Sequence, residues 1–129
     1  MLAGLAIVGV GAPFLQACER EQILTPAGTK TLLVDVSALD TDGKFTVADA
    51  DDLSRVLVVR TGLGSYIALS MTCTHEQCTV QDPSGGVMEC LCHNSLYNMD
   101  GSVRRGPAFN PLKRLSAGLN PDGKLLVTL

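Results

Sequence analysis

Cys73, His75, Cys90 and His93 stand as Cys-x-His and Cys-x-x-His with 14 residues between the two pairs. Two thiolates and two imidazoles can converge from two short loops of one fold. That donor set suits a tetrahedral zinc, or a binuclear iron cluster with sulfur on one iron and nitrogen on the other. The chain has no other histidine, and Cys78 and Cys92 lie in the same two loops, so four of its five cysteines gather there. Zinc would hold the loops together, whereas an iron pair would carry an electron. The choice of metal decides the function.

Loops that hold a metal need a rigid carrier. From Lys30 onward the chain is written in short β-branched runs: Thr31 to Val36, Lys44 to Val47, Val56 to Arg60, Tyr66 to Met71, Val87 to Cys90, Leu112 to Leu115 and Leu125 to Leu129. Asp42-Gly43, Gly62-Leu63-Gly64, Ser84-Gly85-Gly86, Asp100-Gly101 and Asn120-Pro121-Asp122-Gly123 separate them, as turn residues do between strands. No helical period is sustained, and Asp49 to Ser54 is expected to make one turn of helix at most. The pattern predicts an all-β domain of small antiparallel sheets, with both metal loops on an excursion between Met71 and about Phe109.

At 129 residues the chain holds one domain over residues 30–129, with a core filled mainly by aliphatic side chains, because it has no Trp, two Tyr and three Phe. Ten Lys and Arg against thirteen Asp and Glu give a net charge of -3, with no basic stripe, so nucleic acid is not an expected partner. Residues 1–18 begin with an uncharged stretch to Ala17, followed at once by Glu19, Arg20 and Glu21. As a helix, Leu2 to Ala17 would rise only about 24 Å, short of a hydrocarbon core of roughly 30 Å, and Gly9, Gly11 and Pro13 weaken it. The segment reads as the apolar middle of a signal peptide, as the end of a membrane anchor, or, through Leu15-Gln16-Ala17-Cys18, as a lipoprotein cleavage site with Cys18 the lipidation candidate; a buried N-terminal helix of the domain itself is the remaining alternative. Residues 19–29 read as a linker, with Pro26 and Gly28.

The two loops closely resemble those of Rieske iron-sulfur proteins, which bind a 2Fe-2S cluster. The resemblance runs from about Lys30 to Leu129 and is most specific from Cys73 to Tyr97. It implies a Rieske-like antiparallel β-sandwich with a cluster-binding loop subdomain. Cys73 and Cys90 would hold one iron, and His75 and His93 the other. Cys78 and Cys92 match the disulfide of the respiratory and photosynthetic branch. Such a bridge closes a loop of about 15 residues and would contribute about 3 kcal/mol. It implies an oxidising compartment. Ser95 and Tyr97 stand where that branch carries hydroxyls that hydrogen-bond a bridging sulfide and a ligand thiolate, which raises the potential. Gly106-Pro107-Ala108 resembles the proline loop over the cluster. Three departures stand out: Asn94 in place of a glycine, Glu76-Gln77 in place of an apolar residue and glycine, and Leu91 in place of a proline. A left-handed backbone at Asn94, and a different or weaker docking surface, are the expected results.

By the same resemblance the chain is the membrane-tethered iron-sulfur subunit of a quinol:cytochrome c oxidoreductase, an electron-transfer subunit rather than an enzyme alone. It would be exported and membrane-anchored, with its head facing the periplasm or an equivalent extracytoplasmic side. Its partners would be quinol, a cytochrome b-like quinol-oxidising subunit, and a c-type cytochrome or copper protein. His93, with His75 beside it, is the expected acceptor of the quinol's hydrogen bond and proton, so the potential should fall as pH rises. Two other readings remain: the small subunit of an arsenite oxidase-type molybdenum enzyme, and a structural zinc-binding module.

Overall fold

In the computed structural model the described residues are 28–40, 45–51 and 54–129. The apolar segment 1–18 with Cys18, most of the linker, and the Asp42-Gly43 turn lie outside them. Among the described residues no helix is long and apolar enough to cross a membrane. The described residues form nine strands in chain order: β1 (Thr31–Asp35), β2 (Phe45–Asp51), β3 (Ser54–Gly62), β4 (Ser65–Ser70), β5 (Val87–Cys90), β6 (Ser95–Asn98), β7 (Val103–Arg105), β8 (Arg114–Leu119) and β9 (Lys124–Thr128). A short 3-10 turn at Ser37–Asp40 follows β1.

All pairings are antiparallel. Six strands run in the order β1-β9-β8-β4-β3-β2, and β5-β6-β7 form a separate small sheet. β8 joins the two halves of the larger sheet, because Arg114 and Leu115 pair with β4 while Ser116 to Leu119 pair with β9.

β3 is buried from Val56 to Val59, because alternate side chains of a strand point to opposite faces and both faces here are covered. Val56 and Val58 meet Val34, Val36, Ala68, Leu115, Leu125 and Val127 in one core. Leu57 and Val59 meet Leu69, Met71, Val80, Met88, Tyr97 and Leu112 in a second core, which also takes in Cys73 and Cys90. The excursion therefore rests on the larger sheet through packed side chains, and the metal loops inherit its rigidity.

Three local expectations are corrected. Of the segment expected to make one helical turn, the described residues are strand: Asp49 to Asp51 end β2 and Ser54 opens β3. β2 continues through Asp51, with a register shift between Asp49 and Asp51, and Asp49 pairs with Arg55. The Arg55 guanidinium also holds the Asp49 carboxylate at 2.9 Å, so cross-strand pairing overrides a local sequence of poor strand formers. The Leu112 to Leu115 strand begins instead at Arg114 and runs on to Leu119, while Leu112 turns inward and is buried. β6 and β7 have no counterpart among the expected runs. They are short, and their hairpin is set by Gly101, whose φ of 88° suits glycine and where a Cβ would lie 3.1 Å from Leu69 Cδ2.

Candidate metal centre

The first metal loop leaves β4 and is closed by the Thr72 and Thr79 bridge. Within it the Cys73 N–H donates to the Cys78 carbonyl at 2.8 Å, and the Gln77 N–H to the Cys73 carbonyl at 2.9 Å. So tight a turn requires a left-handed residue, and Gln77 adopts φ 58°. The second loop caps the β5-β6 hairpin, where Cys90 faces Ser95 across the ladder. The Asn94 N–H donates to the Cys90 carbonyl at 2.8 Å, and Asn94 takes φ 61°, the left-handed backbone expected where the resemblance calls for glycine. A disulfide joins Cys78 to Cys92 and ties the loops together.

That bridge leaves Cys73 and Cys90 as the free thiols among the described residues, both buried. They lie within hydrogen-bonding reach of each other. The imidazoles lie on the opposite, exposed side, with His75 and His93 ring centroids 4.8 Å apart and the rings nearly perpendicular. Glu76 joins them there, its Oε2 3.6 Å from His93 Nδ1.

Burial pushes the Cys73 thiol up, but hydrogen bonds to Tyr97, the His75 backbone, Cys90 and the Glu76 backbone outweigh it, and the net shift is downward. Burial and the neighbouring Cys73 raise Cys90 instead.

Tyr97 is fully buried behind this pair, and its hydroxyl oxygen lies 3.2 Å from Cys73 Sγ. The same oxygen accepts the Thr74 N–H at 3.1 Å and lies 3.1 Å from Thr74 Oγ1. Thr74 has already committed its single hydroxyl proton to the Asn110 carbonyl, at 2.6 Å. The one proton of Tyr97 is thus shared between Thr74 Oγ1 and the Cys73 sulfur, and a thiolate draws it toward sulfur. Burial, and then the bond to Cys73, raise the Tyr97 pKa, so the proton stays on Tyr97 as a donor. Buried Ser95 accepts the Ala108 N–H on Oγ at 3.0 Å, which leaves its hydroxyl proton to donate. The segment from Gly106 to Asn110 is therefore fastened to both metal loops, at Ser95 and at Thr74.

All eight loop residues singled out from the sequence come together here. The sequence reading missed Thr74, Asn110 and the left-handed Gln77. Thr74 sits inside the Cys-x-His motif, which was a usable signal, whereas Asn110 acts through its backbone carbonyl and has no side-chain signature. The donor set fits a binuclear iron-sulfur group: soft sulfur lies on the buried side, nitrogen on the exposed side, and two hydroxyl donors are available for sulfur acceptors. A closed structural zinc would have no use for those two donors.

Residues 29–116 match the model of the Rieske [2Fe-2S] domain family. The iron-sulfur subunit of the cytochrome b6-f complex from Gloeobacter violaceus is 39% identical over 59 residues, covering 45% of this chain and 32% of that protein. Iron-sulfur subunit 3 of the same kind of complex from Nostoc sp. is 50% identical over 63 residues, covering 48% and 35%. The chain thus spans well under half the length of these curated relatives. Among solved structures, the plasma membrane Rieske protein PetC3 from Synechocystis PCC 6803 superposes with a TM-score of 0.60 at 25% identity, over 76% of this chain and 99% of that one. A naphthalene 1,2-dioxygenase chain gives a TM-score of 0.59 at 18% identity, over 75% of this chain and 25% of that one, which is a likeness of fold alone.

Proposed function

This chain belongs to the Rieske [2Fe-2S] family, and on that premise we propose that it is the redox head of a membrane-tethered quinol:cytochrome c oxidoreductase. It takes an electron and a proton from quinol and hands the electron to a c-type cytochrome or copper protein. A Rieske-type 2Fe-2S cluster is its cofactor. In this reading Cys73 and Cys90 hold one iron, and His75 and His93 the other. The supporting observation is the sidedness of the donors, with both thiols buried and both imidazoles exposed. When bound, the group supplies a one-electron donor and acceptor whose potential is raised by nitrogen ligation.

The chain's own residues do the rest. His93 presents an exposed ring that accepts the quinol hydroxyl's hydrogen bond and takes its proton, with His75 beside it. Tyr97 directs its O–H at the Cys73 sulfur, and the free hydroxyl proton of Ser95 would be available to a sulfur of the group; both would favour added negative charge. The Cys78–Cys92 disulfide keeps the two donor pairs in register. Leu91, on the loop that carries His93, and Phe109, on the segment fastened to both loops, are exposed and would exclude water once the tip is docked. Residues 1–18 serve as the anchor that keeps the head on the extracytoplasmic side of a membrane. Residues 19–29 serve as the hinge on which it travels between a cytochrome b-like subunit and the acceptor.

The test is a potentiometric titration of the full-length protein, followed by electron paramagnetic resonance at a series of pH values. A high midpoint that falls as pH rises through the neutral to alkaline range is expected. A pH-independent midpoint would remove the proton-coupled step, and one zinc per colourless chain would remove the redox function.

A further inference from the structure

Glu76 shares the exposed tip with the two imidazoles but is not one of the candidate ligands. Its side chain is 59% exposed and His93's is 45%, with Oε2 and Nδ1 3.6 Å apart. One ligand atom each from His75, Glu76 and His93 fall within 4.8 Å of one another. On the same loops Leu91 is 62% exposed and Gln77 is exposed, Phe109 is 94% exposed, and Lys113 lies further down, lining one cavity with Gln77, Thr74 and Asn110. Phe109 belongs to this rim because its neighbours Ala108 and Asn110 are bonded to Ser95 and Thr74. Arg105, which donates to the Asn94 carbonyl at 3.1 Å, already faces Glu89 at 3.9 Å. The tip thus presents two large apolar side chains and one carboxylate beside the redox-active rings.

We propose that Glu76 selects the redox partner, a protein whose docking surface offers an apolar recess to Leu91 and Phe109 and a lysine or arginine to the Glu76 carboxylate. Exposed apolar side chains of this size gain from burial and give affinity without direction. A rim charge adds direction: it speeds encounter with a basic surface, fixes the register, and opposes a surface with an acid at that place. The occupant is a protein because an anionic lipid surface would be repelled by the same carboxylate. The inference rests on the electron-transfer reading of the tip.

The experiment uses full-length, cluster-loaded protein as wild type, Glu76→Gln, Glu76→Lys and Asp122→Asn. Asp122 lies on the β8-β9 turn, outside both metal loops, so its substitution makes the same change in net charge as Glu76→Gln. Reduced protein passes one electron to the ferric haem of a lysine-rich c-type cytochrome, used as isolated and after succinylation has turned its lysines into carboxylates. The midpoint potential of each variant is recorded, so that a change in driving force is not read as a change in docking. At low ionic strength Glu76→Gln should slow reduction of the basic cytochrome by roughly three- to tenfold, and Glu76→Lys further, with both converging on wild type in high salt. With the succinylated cytochrome the order should reverse, and Asp122→Asn should track wild type. Equal effects of Glu76→Gln and Asp122→Asn would overturn the proposal, since net charge alone would then explain them. So would binding of wild type to phosphatidylglycerol vesicles that is lost in Leu91→Ser. Wild type that reduces neither form of the cytochrome would instead indict the electron-transfer reading.

Discussion

At the residue scale, the centre depends on where single protons go. Tyr97 has one to give, and Thr74 cannot compete with it as a donor because its own proton is held by the Asn110 carbonyl. Replacing Tyr97 by Phe should lower the midpoint potential while the cluster stays bound. A charge-assisted hydrogen bond contributes about 1.5–3 kcal/mol, and for a one-electron couple 59 mV corresponds to a factor of ten, so a bond made only to the reduced state should shift the potential by about 65–130 mV. Ser95→Ala should act in the same direction. Thr74→Val should raise the potential slightly, because it removes the acceptor that competes with sulfur for the Tyr97 proton while the backbone N–H still holds the Tyr97 oxygen, and Thr74→Ser should restore the wild-type value. Protein-film voltammetry on the set checks the order, and an unchanged potential in Tyr97→Phe would remove its role.

At the element scale, two loops that share no strand must hold four donors in register. One device is covalent, the Cys78–Cys92 bridge, and the other is β3, whose alternate side chains fill both cores. Replacing both bridge cysteines by serine should lower stability by about 3 kcal/mol in the chain-entropy model. Visible absorption should also decay faster in that variant on storage, even where the urea midpoint is still measurable. Leu57→Ala should cost about 2–5 kcal/mol, because it opens a cavity under the metal loops rather than at the surface. Arg55 adds a further tie, reaching from β3 to Asp82 at 2.7 Å. Half-exposed as that pair is, Asp82→Asn should change stability by less than about 1 kcal/mol.

At the scale of the whole molecule, carboxylates that cap turns contribute to stability in acid. The Ser102 hydroxyl and then its amide hold Asp100 below the ordinary carboxylate range, and the Ser37 hydroxyl and amide do the same for Asp35. A carboxylate whose folded pKa is depressed binds its proton more tightly in the unfolded chain. Its contribution is therefore complete above the ordinary carboxylate pKa and is lost as pH falls through the lower folded value. Urea midpoints measured from about pH 6 down to about pH 2 should fall most steeply below about pH 4. The double variant Asp35→Asn, Asp100→Asn should start lower and show a shallower decline.

The candidate donor set could be proposed from the sequence because it is local. Cys73 and His75 lie two residues apart, Cys90 and His93 three, and no remote contact is needed to bring each pair onto one loop. The all-β class was legible for a similar reason, since β-branched runs and turn residues report a period of two without naming partners. The left-handed Asn94 could be anticipated because only a few residue types tolerate that backbone. Pairing was not legible. β2 grew past its expected end because β3 lay beside it, β6 and β7 exist only as partners of β5, and β8 divides itself between two strands. The bond from Thr74 to Asn110 spans 36 residues, and its acceptor is a backbone oxygen that every residue possesses. Residue type and short spacing therefore determined which atoms can bind metal. Long-range packing alone decided which of those atoms are buried and which face solvent, because burial is a property of neighbours and not of the residue itself.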